Sequence, residues 1–296
     1  MKRGKRVLPA LLLIISQLFL CGINQAQVDY FAPENVYRFA EYLYQEGDYL
    51  RAAGEFQRYL LLAGTSADTD STLFRIGTCY RLGRDPQRAL TYFQRIVNEN
   101  PQSSFIDQAS YHIAYSYFEM KQYDQSIRYI EKYCSQSPEC QAQLTNLLVV
   151  NHLYLKKWEK AHTISLLSVD HNHDFLDSLT LSLNRLALEG IQLPYKNTIK
   201  AALMSSLIPG TGKMYAHRFS DGLYSLVIVG LTGWQAYQGF NKDRSRSTRG
   251  WIYGTLCGGF YVGNVYGSIV AARIYNEKLE NNLLKKLGVI IELYVH

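Results

Sequence analysis

Apolar and small residues recur along the first half of the chain at a fixed step of 37 positions. Bulky apolar residues stand at Phe39, Ile76 and Ile113, and again at Phe56, Phe93 and Ile130. Small residues follow the same step at Ala40, Gly77 and Ala114, then at Ala52, Ala89 and Ser126, while Pro101 and Pro138 close the second and third units. A period of this length marks stacked helical pairs: each unit reads as two short helices meeting at a small-residue contact, and stacking buries a core that one unit could not bury alone. A weaker fourth unit runs over 141–170, with Trp158 and Ala161 at the turn and small positions, and there the step from Ser126 shortens to 35. Beyond it, Phe175, Leu176, Leu179, Leu183 and Leu186 keep helical spacing. That segment is either a capping helix or one more irregular repeat helix.

The pattern changes after residue 190. No charged residue occurs over 222–241 or over 251–272, and each run is about the ~20 residues a helix needs to cross a bilayer. Neither is strongly hydrophobic, since Gln235 and Gln238 interrupt the first and Asn264 with five glycines the second. Two readings stand: a transmembrane helical hairpin, or a pair of buried helices in a soluble domain. Gly254 and Gly258, and likewise Gly259, Gly263 and Gly267, recur four apart and leave grooves for close helix approach. Trp251 and several tyrosines near the run ends suit a membrane interface. These observations favour the hairpin, with 274–296 left as a C-terminal tail.

The N-terminus opens with Lys2, Arg3, Lys5 and Arg6, followed by a largely apolar run over 7–20. This is the layout of a secretory signal over 1–26, cut after Ala26. Lipidation at Cys21 and an uncleaved anchor remain as alternatives. The connector between the two charge-free runs carries Lys242, Arg244, Arg246 and Arg249 against Asp243 alone, and basic short loops stay cytoplasmic. Signal and connector agree on one topology: a bacterial inner-membrane protein with its repeats in the periplasm.

The first half resembles the tetratricopeptide repeats. Ile76-Gly77, Tyr80, Ala89, Phe93 and Pro101 follow that family's order of large, small, aromatic, small, aromatic and proline. Ile113-Ala114, Tyr117, Ser126 and Pro138 follow it in the third unit, with Tyr123 at the turn and Ile130 in place of the second aromatic, and Gln45-Glu46-Gly47-Asp48-Tyr49 looks like the family's inter-helix turn. Departures are the longer period, Pro86 in place of the turn aromatic, and a first unit without a closing proline. The implied fold class is all-α, a tetratricopeptide-like α-solenoid over 34–190 followed by the hairpin. The inner helices of this family line a concave face, which places Tyr37, Phe74 and Tyr111 there, with Tyr44, Arg81, Tyr115 and Phe118 nearby. Such side chains suit a protein or peptide partner; alternatively they pack between adjacent helices.

Over 196–273 the chain is similar to a small bacterial membrane domain of unknown function. The likeness rests on Lys196, the Ala201-Ala202-Leu203-Met204-Ser205-Ser206-Leu207 helix, the Pro209-Gly210-Thr211-Gly212 turn, Tyr215 and Asp221-Gly222. It implies contact with membrane lipid, a short amphipathic helix lying in the interface, and a turn that redirects the chain into the bilayer.

Chemistry narrows the picture further. The formal charge is +6, but 1–26 hold four basic and no acidic residues, so cleavage leaves +2 and no nucleic-acid-binding surface is expected. Cys134 and Cys140 flank the turn at Pro138, so export permits a disulfide there; two separate thiols are the alternative. Gly210-Thr211-Gly212-Lys213 lacks the upstream glycine and the following Ser or Thr of a phosphate loop, having Leu207 and Met214 instead. His171, His173 and Asp174 form no paired metal-ligand cluster. With no nucleophile arrangement and no cofactor or metal signature, the expectation is a scaffold or adaptor of the cell envelope rather than an enzyme. The competing expectation is a transport or insertion assembly in which the hairpin forms a homo-oligomer.

Overall fold

The computed structural model describes residues 31–64, 69–133, 135, 137–168 and 174–295. The expected signal over 1–26, Cys134 and the pair His171 and His173 lie outside the described residues. Among those described, secondary structure is helical throughout. Two compact units divide the chain, 1–121 and 122–296.

The first unit holds α1 (Pro33–Gln45), α2 (Tyr49–Ala63), α3 (Thr69–Leu82), α4 (Pro86–Glu99) and α5 (Ile106–Glu119), each packed on the next. Its core is the periodic set: Ala40, Ala52, Phe56, Ile76, Ala89, Phe93, Ile113 and Ala114 are buried. The small positions are small because of what faces them. A Cβ on Gly77 would come within 2.7 Å of the Phe93 ring. Phe39 departs from its periodic partners, being 43% exposed, because no described helix precedes α1 to cover the face that α1 and α3 cover for later repeats. A polar pair repeats with the same period: Gln57 donates to the Tyr80 hydroxyl at 2.9 Å and Gln94 to the Tyr117 hydroxyl at 3.5 Å.

Helix ends follow local chemistry. Asp85 caps α4 by accepting from the Arg88 N–H at 3.0 Å, and Pro86 takes the first-turn position where its missing N–H costs nothing. Between α1 and α2 the chain turns through Gly47 in the left-handed region, φ +79, and the Asp48 N–H reaches the Leu43 carbonyl at 2.9 Å. Arg84 repeats the turn at φ +62, with the Asp85 N–H bonded to the Tyr80 carbonyl at 2.8 Å, and Lys121 follows at φ +59. These are Schellman-type stops.

The second unit begins with α6 (Tyr123–Lys132), α7 (Pro138–Tyr154), α8 (Trp158–Ser168) and α9 (Asp174–Ile191). Here α7 and α8 form the fourth repeat pair, turning at Lys156, φ +58, with the Lys157 N–H bonded to the His152 carbonyl at 2.9 Å. The step from Lys121 to Lys156 carries the same shortening to 35 seen in the sequence. Pro138 is the first residue of α7, so it opens the fourth unit rather than closing the third; Ser137 caps that helix through the Cys140 N–H. Trp158 and Ala161 are buried, and Leu183 and Leu186 of α9 join the same end of the repeats.

After the repeats come α10 (Thr198–Leu207), α11 (Thr211–Tyr215), α12 (Phe219–Asp243), a 3-10 turn (Arg244–Arg246) and α13 (Thr248–Val295). Helices α12 and α13 pack as a hairpin. Two findings bear on the expectations for this part of the chain. Of the segment expected as a C-terminal tail over 274–296, residues 274–295 continue α13, whose 48 residues make it ~70 Å long. Its distal part docks on the repeats: Lys156 and the Tyr195 hydroxyl both bond Glu280, and Lys286 meets Glu189 at 2.6 Å. Secondly, 222–241 and 251–272 are helical, but among the described residues no helix is long and apolar enough to cross a membrane. Glutamines, an asparagine, serines and glycines dilute the apolarity of both.

Three glycines explain the turn before α12. Gly210 has φ +92, and a Cβ there would lie 1.9 Å from the Gly222 carbonyl oxygen; one on Gly212 would lie 1.9 Å from that of Ala201. The Asn264 side chain of α13 fixes this turn, accepting from the Gly210 N–H at 3.0 Å and donating to the Ser205 carbonyl at 3.3 Å. Lys196 lies over the rings of Tyr215 and Tyr275 at 4.7 and 5.6 Å, while Asn276 brackets its backbone, bonding both its N–H and its carbonyl. Lys196, Gly210, Gly212, Tyr215 and Gly222 thus pack with Asn264, Tyr275 and Asn276 to hold this module together.

Candidate functional site

The aromatic series of the first unit stands on α1, α3 and α5, the first helix of each pair. All seven residues, Tyr37, Tyr44, Phe74, Arg81, Tyr111, Tyr115 and Phe118, are half-buried. A side chain in that state has one side in the packing and one side open.

Their surroundings separate them. Phe74 is engaged by three rings, with Phe93, Phe105 and His112 at 5.5, 5.4 and 5.4 Å. It packs between successive helices. Tyr37 leans edge-on against Phe56 and Tyr59 at 5.4 and 5.0 Å, and burial together with the Glu41 carboxylate raises its phenol. Tyr44 meets Tyr49 edge-on at 5.6 Å. Tyr111, Tyr115 and Phe118 form a run of rings along α5, with centroids 5.9 and 5.7 Å apart.

Two arginines on α3 stitch the row. Arg75 lies over the Tyr44 ring at 5.2 Å and meets Glu41 at 3.2 Å; Arg81 lies over the Tyr115 ring at 5.5 Å and meets Glu119 at 3.9 Å. Each guanidinium therefore presents an aromatic contact and an ion pair on adjacent helices, the arrangement that gives contact area with fixed orientation. Glu41, Arg75 and Glu119 escape a reading based on aromatic spacing. Helical spacing was the signal that could have found them, since Glu41 lies four after Tyr37 and three before Tyr44.

His112 is the other residue that sequence reasoning missed. It stacks on Phe93 at 5.0 Å, beside Phe74 and Tyr111, and its Nδ1 has no hydrogen-bond partner among the described residues. Burial, with the Arg81 charge adding to it, pushes its imidazole down to about 3. It is thus neutral packing material and not a general base. Cys79 is similarly inert, fully buried in α3 with its thiol pushed up to about 12 by burial.

The proposed disulfide is not placed by this geometry, since Cys134 lies outside the described residues; Cys140 is buried in the first turn of α7. Among the described residues no group of three or more His, Cys, Asp or Glu could hold a metal ion.

A family model described as anaphase-promoting complex, cyclosome, subunit 3 matches residues 58–133, from α2 through α6. No curated protein matches the chain. The matched stretch contains α3 through α6, the second and third repeat units, and the chain accordingly carries tetratricopeptide-like repeats in an all-helical fold.

Proposed function

We propose that this protein is a binding scaffold whose tetratricopeptide-like repeats hold a protein partner and whose C-terminal hairpin attaches it to a membrane. The observation that carries the first part is the row along α1, α3 and α5, in which Tyr44, Tyr111, Tyr115 and Phe118 are half-buried and Arg75 and Arg81 lie over the rings of Tyr44 and Tyr115. Repeats of this type generally bind proteins, and aromatic and arginine side chains dominate binding energy where they are found at interfaces. Phe74 is withdrawn from the contact set and assigned to packing. We place the activity in an envelope scaffold or adaptor, with no catalytic step.

Membrane attachment is supported by side chains left outward. On α12, Tyr224, Leu231, Trp234 and Tyr237 are each about 60% exposed or more, and on α13 Trp251, Val262 and Tyr266 match them. Helix α10 adds Ile199, Leu203 and Leu207 at four-residue spacing, all outward. An exposed apolar surface of this extent marks a contact with lipid or protein, and the absence of charge over 222–241 and 251–272 suits lipid. The interruptions that lower the apolarity of α13 are offset where Asn264 and Ser268 spend their polar atoms inside the module. The signal-like N-terminus and the basic connector support a periplasmic position for the repeats and an inner-membrane position for the module.

The binding claim is tested by Tyr115→Ala. A contact residue should lose ~1 to 2 kcal/mol or more of partner affinity with melting little changed; a core residue should lose ~3 kcal/mol or more of stability. Unchanged capture per folded molecule together with a large loss of melting temperature would refute the assignment.

A further inference from the structure

A cleft of about 550 Å³ opens in the C-terminal module, lined by α11, the first turns of α12 and the middle of α13. Its lining includes two cations, Lys213 and Arg218, and one carboxylate, Asp221. Asp221 is already committed, paired with Arg218 at 2.5 Å. Lys213 instead donates to the Ser225 hydroxyl at 2.8 Å, and that hydroxyl donates onward to the Asp221 carbonyl at 2.9 Å. A neutral hydroxyl answers one of the three ammonium donors and none of its charge. The rest of the lining is mostly apolar, with Ile228, Val229, Phe260 and Val270 beside Tyr224, Tyr266 and Asn264. Gly259 and Gly263 of α13 form the floor, and open space lies where their Cβ atoms would stand.

We propose that this cleft is a binding site for an anionic phospholipid, with the headgroup phosphate on Lys213 and one acyl chain lying in the trough over Gly259 and Gly263. Charge complementarity selects the head: a lysine answered only by a hydroxyl favours an anion, and the local pair Arg218–Asp221 contributes no net charge against it. The trough selects the tail, because Ile228, Val229, Phe260 and Val270 in the lining gain contacts from an acyl chain that a free phosphate cannot supply. A helix from a second copy fits less well, since it would bury Lys213 without a counter-charge, and that carries a heavy desolvation cost. The inference rests on the membrane reading only for the source of the ligand; head and trough are properties of the folded module.

The test uses the full chain in dodecyl maltoside, titrated calorimetrically with dodecyl phosphate, a single-chain phosphate amphiphile, and in parallel with inorganic phosphate. The expected result is saturable binding of one dodecyl phosphate per chain, at least tenfold weaker in Lys213→Gln and unchanged in Lys242→Gln, which removes the same charge at the far end of the hairpin. Gly263→Leu, which fills the trough at a position with free space, should weaken dodecyl phosphate at least tenfold with the melting temperature retained. It carries the decision if Lys213→Gln does not fold. Equal losses in Lys213→Gln and Lys242→Gln would reduce the effect to micelle charge and overturn the site. Inorganic phosphate binding as tightly as dodecyl phosphate would overturn the lipid assignment in favour of a free anion. A dimer lost in Gly263→Leu, with no dodecyl phosphate bound by the parent chain, would give the cleft to a second copy. Because the readout is taken in detergent, failure of the membrane topology would leave this result standing, and the reverse also holds.

Discussion

His112 shows how a residue's surroundings set its behaviour against its type. Its imidazole is held down to about 3 by burial, reinforced by Arg81, whereas an unfolded histidine titrates near ~6.5. Between those values the unfolded chain binds a proton that the folded chain refuses, so stability falls as pH drops below ~6.5 and continues to fall towards 3. For this group alone the loss by pH 5 is about 2 kcal/mol. Thermal melts of the parent chain and His112→Phe between pH 7.5 and 5 should show a smaller decline in the variant; identical slopes would mean that His112 is protonated in the fold. None of this was legible in the sequence, where His112 is one polar letter between Tyr111 and Ile113. The aromatics at the 37-residue spacing were legible, yet Phe74 and Tyr111 occupy equivalent positions with different ring neighbours. Phe105 and His112 close over Phe74, and only the packing reveals that.

At the scale of elements, spacing predicted the helices well because the core repeats with them. The fourth pair was recognisable from Trp158 and Ala161 even with its shortened step, and its turn at Lys156 uses the same left-handed stop as Gly47, Arg84 and Lys121. Glycine marks that stop only once, so three of four turns lacked their usual letter. Conversely, the Pro-Gly-Thr-Gly segment announced a turn but not its reason. That reason is backbone approach: Gly210 and Gly222 meet where no Cβ fits. Gly210→Ala should therefore destabilise the module by at least ~3 kcal/mol, combining left-handed strain with overpacking. Gly230→Ala, in the middle of α12 with open space around it, should instead stabilise by ~0.5 to 1 kcal/mol through helix propensity. Denaturation of both variants in one detergent checks the pair, and equal effects would show that the turn is not close-packed. The length of α13 was hidden for a different reason. Its distal part is polar enough to read as a tail, and it becomes ordered through Asn276, Glu280 and Lys286, whose partners lie 80 to 124 positions away.

For the whole molecule, the proposal joins a binding surface to a membrane-held base, and the two halves of that statement are separately testable. In cells whose outer membrane alone is permeabilised, an impermeant thiol reagent should label a cysteine at exposed Glu159 of α8 and fail to reach one at Arg246. Labelling at Arg246 would place the basic connector outside and reverse or abolish the proposed topology. The central claim, that the row on α1, α3 and α5 holds a protein, is met most directly by photo-crosslinking from the full-length chain in its native membrane. Photoreactive residues at Tyr44 and Tyr115 should trap one and the same protein, while those at Gln87 and Thr91, exposed on α4, should not. Trapping of that protein with equal yield from all four positions, or from Gln87 and Thr91 alone, would contradict the account.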